Sequence, residues 1–528
     1  MEPFYRDRIV YQIYPRSFRD SNGDGFGDLN GIREKLLYLH ALGVGLLWLS
    51  PIYPSPDRDN GYDIADYTAI DPRYGTMAEF DALLSEAKAL DIGIVMDLVI
   101  NHTSDRHSWF QKSMAGEAPY RDYYIWRDKP NNWGNFFGGS CWTWNETRKQ
   151  YYLHLFDAGQ PDLNYRNPAV VQEVEKVMSF WLDKGVAGFR CDVINILWKS
   201  ELKNGFPKLA LTGSGYYLSQ PGCHALLRRF REDVWSHYDC FTVGETVMVK
   251  PKDARLLCDA QQGGLDMVFS FEHMNADCFF IKWLPRRFRA KRLFRALDKW
   301  QRALDWNANY LENHDQPRSV SRFGSPSYPY ESATALATML LCLRGTPFLF
   351  EGQELGMTNF DYASMDDVQD VESRNMFQFM KKLGFGEQRR WRHVQHASRD
   401  NARTPMQWDD SPNGGFTAGT PWLKCNQNYK AINVAAEERD PHSVLAFYRR
   451  LCALRNGDET LKAGAYRSVC ITRSVYAFTR SFKGETRLIA VNLSDKPHAF
   501  QMTGTRLLSN YPDAAEALRP YEAVVMRV

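Results

Sequence analysis

Three carboxylates and one arginine stand where apolar runs give way to polar ones. Arg190 and Asp192 close Gly188-Phe189-Arg190-Cys191-Asp192, Glu245 closes Val243-Gly244-Glu245, and Asp315 closes Leu311-Glu312-Asn313-His314-Asp315. Carboxyl groups gathered this way can cleave a glycosidic bond. One attacks or activates water, while a second, kept protonated, donates to the leaving oxygen. Residues two apart on a strand share a face, so Arg190 and Asp192 point the same way, and the cation keeps the carboxylate ionised at neutral pH. Taken singly, each carboxylate could equally serve an ion pair or a helix cap, and Asp315, followed by Gln-Pro, fits a cap well. Their joint placement at successive strand ends favours catalysis. A metallohydrolase built on His102 and His314 is disfavoured, because neither H-E-x-x-H nor another paired-ligand spacing is present.

The elements that must hold these groups are legible as short apolar runs. Strands are predicted at Ile9–Tyr14, Leu46–Leu49, Ile92–Val99, Val186–Asp192, Phe241–Gly244, Leu265–Phe271, Asn309–Leu311 and Pro347–Phe350. From Thr76 to Leu90 the apolar residues Met77, Phe80, Leu83, Leu84, Ala87 and Leu90 recur at helical spacing. Eight strands alternating with helices argue for a parallel α/β barrel, in which reactive residues sit at the carboxyl ends of the strands. A doubly wound sheet is the alternative, but no G-x-G-x-x-G turn follows the first strand. Two stretches break the rhythm. From 103 to 167 the chain is rich in Trp, Asn and Gly (NNWGNFFGGSCWTWN), too long for a βα loop, and reads as a small domain inserted after strand three. From about Gly457, alternating runs at Ser474–Thr479, Leu488–Val491 and Ala523–Val528 read as an antiparallel β domain.

Composition narrows the function classes. Lys and Arg total 65 against 63 Asp and Glu, so no basic footprint for nucleic acid exists. With 44% hydrophobic and 24% charged residues the chain can bury a sizeable core. The apolar stretch Ala333–Leu343 is about half of the roughly 20 residues a membrane span needs, and the start of the chain has no signal-peptide pattern. Ten cysteines without a C-x-x-C pair suit reduced thiols in the cytoplasm. No oligomer interface is legible; a monomer or weak dimer is expected. Asp20-Ser21-Asn22-Gly23-Asp24-Gly25-Phe26-Gly27-Asp28 places oxygen donors at alternate positions with glycine sixth, as in the first part of a calcium loop. Position twelve is Gly31, so an EF-hand's bidentate Glu is missing. A hydrogen-bonded turn without metal remains open.

The motifs DLVINH (97–102), GFRCDVIN (188–195), TVGET (242–246) and NHDQPR (313–318), with NGYDIADY (60–67), QPDLNY (160–165), RGTPF (344–348), GQELGMTN (352–359) and ARTPMQW (402–408), run in one order over most of the chain. In these the sequence resembles the α-amylase superfamily of glycoside hydrolases, and more narrowly its oligo-1,6-glucosidase and dextran glucosidase branch. The resemblance implies a TIM (β/α)8 barrel (1–102 and 168–456), a B domain inserted after strand three (103–167) and a C-terminal antiparallel β-sandwich domain (457–528). It implies Asp192 as nucleophile, Glu245 as general acid/base and Asp315 as the carboxylate that stabilises the transition state. Arg190 would hold the nucleophile ionised, and His102 and His314 would bind hydroxyls of the sugar being cleaved. Asp59 and Arg403 resemble a pair that closes the pocket behind the terminal sugar, Tyr62 its stacking platform, and Phe137 a second apolar wall. Val193 resembles the residue of α-1,6-preferring members. The same resemblance implies one structural calcium held by Asp20, Asn22, Asp24, the Phe26 carbonyl and Asp28, and no organic cofactor.

The activity so implied is retaining, exo-acting release of glucose from short α-glucosides, with α-1,6 linkages preferred. Alternatives on the same machinery are a trehalose-6-phosphate hydrolase, a sucrose isomerase and an α-1,4-glucosidase. A non-catalytic relative serving as a transporter-associated or binding subunit would be expected to lack the carboxylates. Position 247 is Val where some dextran-cleaving members place Trp, and the segments around Lys282 and from Asp361 to Asp400 match no familiar pattern. The expected partner is a small oligosaccharide, with neither nucleic acid nor membrane.

Overall fold

The computed structural model describes residues 3–208, 211–279, 281–501 and 503–528. Eight short strands alternate with helices: β1 (Val10–Ile13), β2 (Leu46–Leu49), β3 (Gly93–Leu98), β4 (Gly188–Cys191), β5 (Phe241–Glu245), β6 (Met267–Phe269), β7 (Ala308–Asn309) and β8 (Thr346–Phe350). They form one sheet in the order β7-β8-β1-β2-β3-β4-β5-β6. The pairs β7–β8, β8–β1, β3–β4, β4–β5 and β5–β6 are parallel. Each strand neighbours the next in the chain, the order of a (β/α)8 barrel; a doubly wound sheet reverses direction at a switch point. Both faces of such a sheet are covered, which explains why β1, β2, β4 and β8 are buried at every residue and read as continuous apolar runs.

The helix before β4 shows the local logic. Pro168 opens it, Asn167 caps it by accepting from the Ala169 amide at 3.0 Å, and Val170, Val174, Val177, Met178 and Trp181 line its buried face. β4 then starts at Gly188, where the neighbouring strand approaches closely. A Cβ there would lie 2.0 Å from the Phe241 carbonyl oxygen.

The chain divides into two compact units. One comprises Trp48–Ser85 and Gly93–Ser270, the other Met1–Leu47, Glu86–Ile92 and Phe271–Val528. In the first, the segment after β3 carries a three-stranded antiparallel sheet of Trp126–Arg127, Gln150–Leu153 and Trp142–Asn145. In the second, a five-stranded antiparallel sheet runs Ala465–Ile471, Val475–Phe482, Glu485–Asn492, Ala523–Arg527, Thr505–Ser509. A short helix, Glu459–Ala463, precedes it just past Gly457, where the β domain is expected to begin, because Asp458 caps the Thr460 and Leu461 amides. The stretch from Asp361 to Asp400 forms two helices, Val371–Lys382 and Glu387–Ala397, that bury Phe377, Met380 and Val394 with Trp283. Among the described residues no helix is long and apolar enough to cross a membrane.

Gly188→Ala forces a methyl group into the Phe241 carbonyl. We expect it to lower unfolding free energy by about 2–4 kcal/mol, read as a drop in the urea midpoint at unchanged slope.

Candidate active site

Parallel pairing sets Asp97 of β3 opposite Arg190 of β4. Arg190 is buried and meets three carboxylates. Its Nη1 donates to Asp97 Oδ1 at 2.8 Å and to Asp192 Oδ1 at 2.7 Å, and its Nη2 donates to Glu245 Oε2. Burial pushes the Asp192 carboxyl up and Arg190 pulls it down; Glu245 and Asp97 then push it up again, to well above the usual carboxylate range. The sequence pattern predicts that Arg190 keeps Asp192 ionised. In the structure that one cation is divided among three anions, and burial with the two other carboxylates outweighs it at Asp192.

Val193, directly after Asp192, has φ 36° and ψ 38°. For a β-branched residue that conformation costs about 1–3 kcal/mol. Its side chain is buried in a cluster with Trp133, Trp142, Leu153, Ile196 and Tyr217, and burial of a valine returns roughly 1.5–3 kcal/mol. Packing against the inserted segment therefore offsets the strain of the turn that presents Asp192.

Around this centre the first unit gathers further expected residues. Asp63, its carboxyl pushed up by burial to about 6, accepts from Ser55 Oγ and from the Arg58 and Asp59 amides, fixing the loop that bears Asp59 and Tyr62. The Tyr62 hydroxyl donates to Asp97 Oδ2 at 2.9 Å, and its ring lies 5.7 Å from the Arg190 guanidinium. His102 is buried, and burial lowers it to about 4, so it is neutral in the working range. Its Nε2 donates to the Tyr62 carbonyl at 3.0 Å, and its Nδ1 accepts from Asn101 Nδ2 at 3.2 Å. Both ring nitrogens thus have protein partners. Gln160 Nε2 donates to Asp59 Oδ2 and to the Tyr62 carbonyl, each at 3.2 Å. Phe156 packs 5.2 Å from the His102 ring and 5.8 Å from Phe137.

Asp97, Gln160 and Phe156 are members that the sequence reading misses. Asp97 and Gln160 lie inside the quoted motifs DLVINH and QPDLNY, so their signal was present. Phe156 carries none beyond its proximity to QPDLNY.

The second unit holds Asp315 under opposite conditions. Asp315 Oδ1 accepts from Arg403 Nη2 at 2.9 Å and from Arg399 Nη1 at 3.4 Å, and His314 Nε2 stands 3.1 Å from Oδ2. Burial alone would raise this carboxyl; His314, Arg399 and Arg403 outweigh it and hold it well below the usual range. Gln12 Nε2 lies 2.8 Å from His314 Nδ1, and Tyr14 stacks on the same ring. Arg399 also donates to Asp370 Oδ1 at 2.8 Å. It lies four residues before Arg403, one helical turn, just outside the quoted ARTPMQW motif.

The loop from Asp20 to Asp28 belongs to this unit too. Asp20 Oδ1 accepts from the Asn22 and Gly23 amides, and Oδ2 from the Gly25 amide and Thr417 Oγ1. Burial works against the Asp20 charge, but Thr417 and the three amides prevail and lower its pKa. Gly25 has φ 95°, and a Cβ there would lie 2.0 Å from the Thr420 carbonyl oxygen, so only glycine fits. Asn22 Oδ1 and Asp24 Oδ1 accept from the Asp24 and Phe26 amides, while Asp28 accepts from the Ser21 and Gly31 amides. Among the described residues no three His, Cys, Asp or Glu side chains converge as a metal cage.

A parallel eight-stranded sheet with carboxylates at the ends of β4 and β5, one guanidinium between them, and a third carboxylate after β7 defines a carbohydrate-cleaving barrel enzyme. Residues 12–464 match the family model described as alpha amylase, catalytic domain, and the chain belongs to this family of glycoside hydrolases. It is 46% identical to an oligo-1,6-glucosidase of Parageobacillus thermoglucosidasius over 99% of each chain. It is 42% identical to a trehalose-6-phosphate hydrolase of Bacillus subtilis over 100% of this chain and 98% of that one. The structure of a trehalulose synthase mutant in complex with Tris matches with a TM-score of 0.95 at 41% identity, covering 100% of both chains.

Asp97→Asn removes one of the anions that raise Asp192 and frees Arg190 for the other two. The acid limb of the pH profile of kcat/KM should therefore move to lower pH, by about 0.5–1 unit; an unmoved or rising limb would contradict the shared-cation account.

Proposed function

We propose that this protein is a retaining, exo-acting α-glucosidase that releases glucose from the non-reducing ends of short α-1,6-linked glucosides. The carrying observation is the Asp192–Glu245 pair, set at the ends of adjacent strands and bridged by Arg190. Asp192 attacks the anomeric carbon while Glu245 protonates the departing oxygen. Glu245 then takes a proton from the water that attacks the anomeric carbon and frees Asp192, which returns Glu245 to its acid form. Asp315, held ionised by two arginines and His314, supplies fixed negative charge to the oxocarbenium-like transition state.

We assign Asp59 and Arg403 to the wall behind the terminal glucose, Tyr62 and Phe137 to its apolar faces, and His102 and His314 to its hydroxyls. Val193 is assigned to linkage preference. Several relatives named oligo-1,6-glucosidase, at 43–46% identity, support the α-1,6 reading. Lys282, a candidate phosphate ligand in the rival reading, is paired with Glu372 at 2.7 Å, and Trp283 donates to the same carboxylate. That pairing weighs against trehalose 6-phosphate as the substrate. Ten free cysteines support a reducing compartment, and we place the enzyme in the cytoplasm.

We further propose that the 20–28 loop holds one calcium ion. The donor set is all oxygen, Asp20 is held ionised, and Asn22 and Asp24 lie exposed at the loop's outer edge. Asp20, Asn22, Asp24, the Phe26 carbonyl and Asp28 would hold the ion, whose contribution is to rigidity.

Glucose release compared by kcat/KM should favour isomaltose over maltose by roughly tenfold or more, with trehalose 6-phosphate and sucrose lower still. A preference for maltose would overturn the linkage assignment and leave the catalytic pair standing. Asp192→Asn should cost on the order of 10⁴-fold in kcat, and the first product seen by NMR should be the α-anomer. Adding calcium to chelator-treated protein should raise Tm by about 2–6 °C. Asp24→Asn should shrink that rise, and an unchanged Tm would leave the loop a metal-free turn.

A further inference from the structure

The β4–β5 ladder makes its last backbone pair at Cys191↔Gly244. Asp192 and Glu245 stand one residue beyond it, where no main-chain rung fixes their separation. The side chain of Asn195, three residues past Asp192 and wholly buried, reaches across that gap. Its Nδ2 donates to the Val247 carbonyl at 2.9 Å, and its Oδ1 accepts from the Val247 amide at 2.9 Å. A carboxamide carries the donor and acceptor of a peptide group, so this pair is a ladder rung made by a side chain. Nδ2 also donates to Ser219 Oγ at 3.1 Å, and the Asn195 carbonyl accepts from the Ser219 amide at 2.8 Å. On the other side of the acid, buried Thr246 donates Oγ1 to the Phe269 carbonyl of β6 at 2.8 Å. The two residues that follow Glu245 are thus fastened on both sides, to the turn after β4 and to the end of β6.

We propose that Asn195 is a positioning residue that sets the spacing of nucleophile and acid/base by extending the β4–β5 ladder past its last backbone rung. This rests on the reading of Asp192 and Glu245 as the catalytic pair. Retaining chemistry needs its two carboxyls about 5–5.5 Å apart, and a displacement near 1 Å can cost about 10²-fold. The rung also explains how Val193 stays in the left-handed region. The turn is gripped on its far side, at Asn195, while Val193 itself is wedged among apolar side chains. The side chain must both give and accept one hydrogen bond, which Ala cannot do and an ionised Asp does only by half.

The test separates leaving groups. Releasing glucose from isomaltose needs the proton of Glu245, whereas an α-glucoside of a strongly acidic phenol needs little of it. Asn195→Ala should lower kcat on isomaltose by about 10- to 100-fold with KM within about threefold. Glycosylation by the activated aryl glucoside should fall less than about threefold. Equal losses on both substrates, or none on isomaltose, would overturn the proposal. Should that variant fail to fold, Asn195→Asp keeps the volume. Its neutral acid form restores both hydrogen bonds, so its kcat relative to wild type should climb as pH falls, and a flat ratio would count against the rung. Glu245→Gln should show the same leaving-group split in the extreme; wild-type activity on isomaltose in that variant would sink the catalytic assignment itself.

Discussion

A single buried guanidinium among three carboxylates is the constraint on which the catalytic centre depends. Arg190 can lose its water only because Asp97, Asp192 and Glu245 replace it. Removing the partner of a buried charge costs about 3–5 kcal/mol, so the register that brings β3, β4 and β5 together is enforced electrostatically as well as by the ladder. A slip of one residue would turn Arg190 and Asp192 to the opposite face. The cation is also outnumbered. Burial and the two neighbouring carboxylates therefore outweigh Arg190 at Asp192 and favour its neutral form at rest.

Asp315 stands in the contrasting environment. Two arginines and a histidine keep it ionised, whereas Asp192 and Glu245 compete for one arginine. The same residue type is driven in opposite directions by the ratio of cations to anions around it. That difference separates the two sites: an Asp192 carboxyl pushed up beside Glu245, and an Asp315 carboxylate held ionised.

Much of this was legible in the sequence. Strand runs and the order of motifs located the eight strands, the family and the three carboxylates, because hydrophobic periodicity and local motifs are properties of contiguous residues. What was not legible depends on distant ones. Asp97 was visible as a strand end, but its share in Arg190 appears only with the β3–β4 register. Arg399 gains meaning from Asp315 and Asp370, which lie 84 and 29 residues away in sequence. The strand predicted at Asn309–Leu311 is instead Ala308–Asn309, the two residues that pair with Thr346 and Pro347 of β8. The helical pair from Val371 to Ala397 packs its buried face on Trp283, a long-range contact that local spacing does not record.

The pairing of β1 with β8 carries a consequence for biosynthesis. Val10 is opposite Phe348, so β1 waits for a partner made about 340 residues later. At roughly 5–20 residues per second that delay is on the order of 20–70 s. The unit containing Asp192 and Glu245 is drawn from Trp48–Ser85 and Gly93–Ser270, and all of its chain has been synthesised before Phe348 appears. During that interval the apolar edge of β1 is without its mate, open to the non-native pairing that an unpaired strand edge invites.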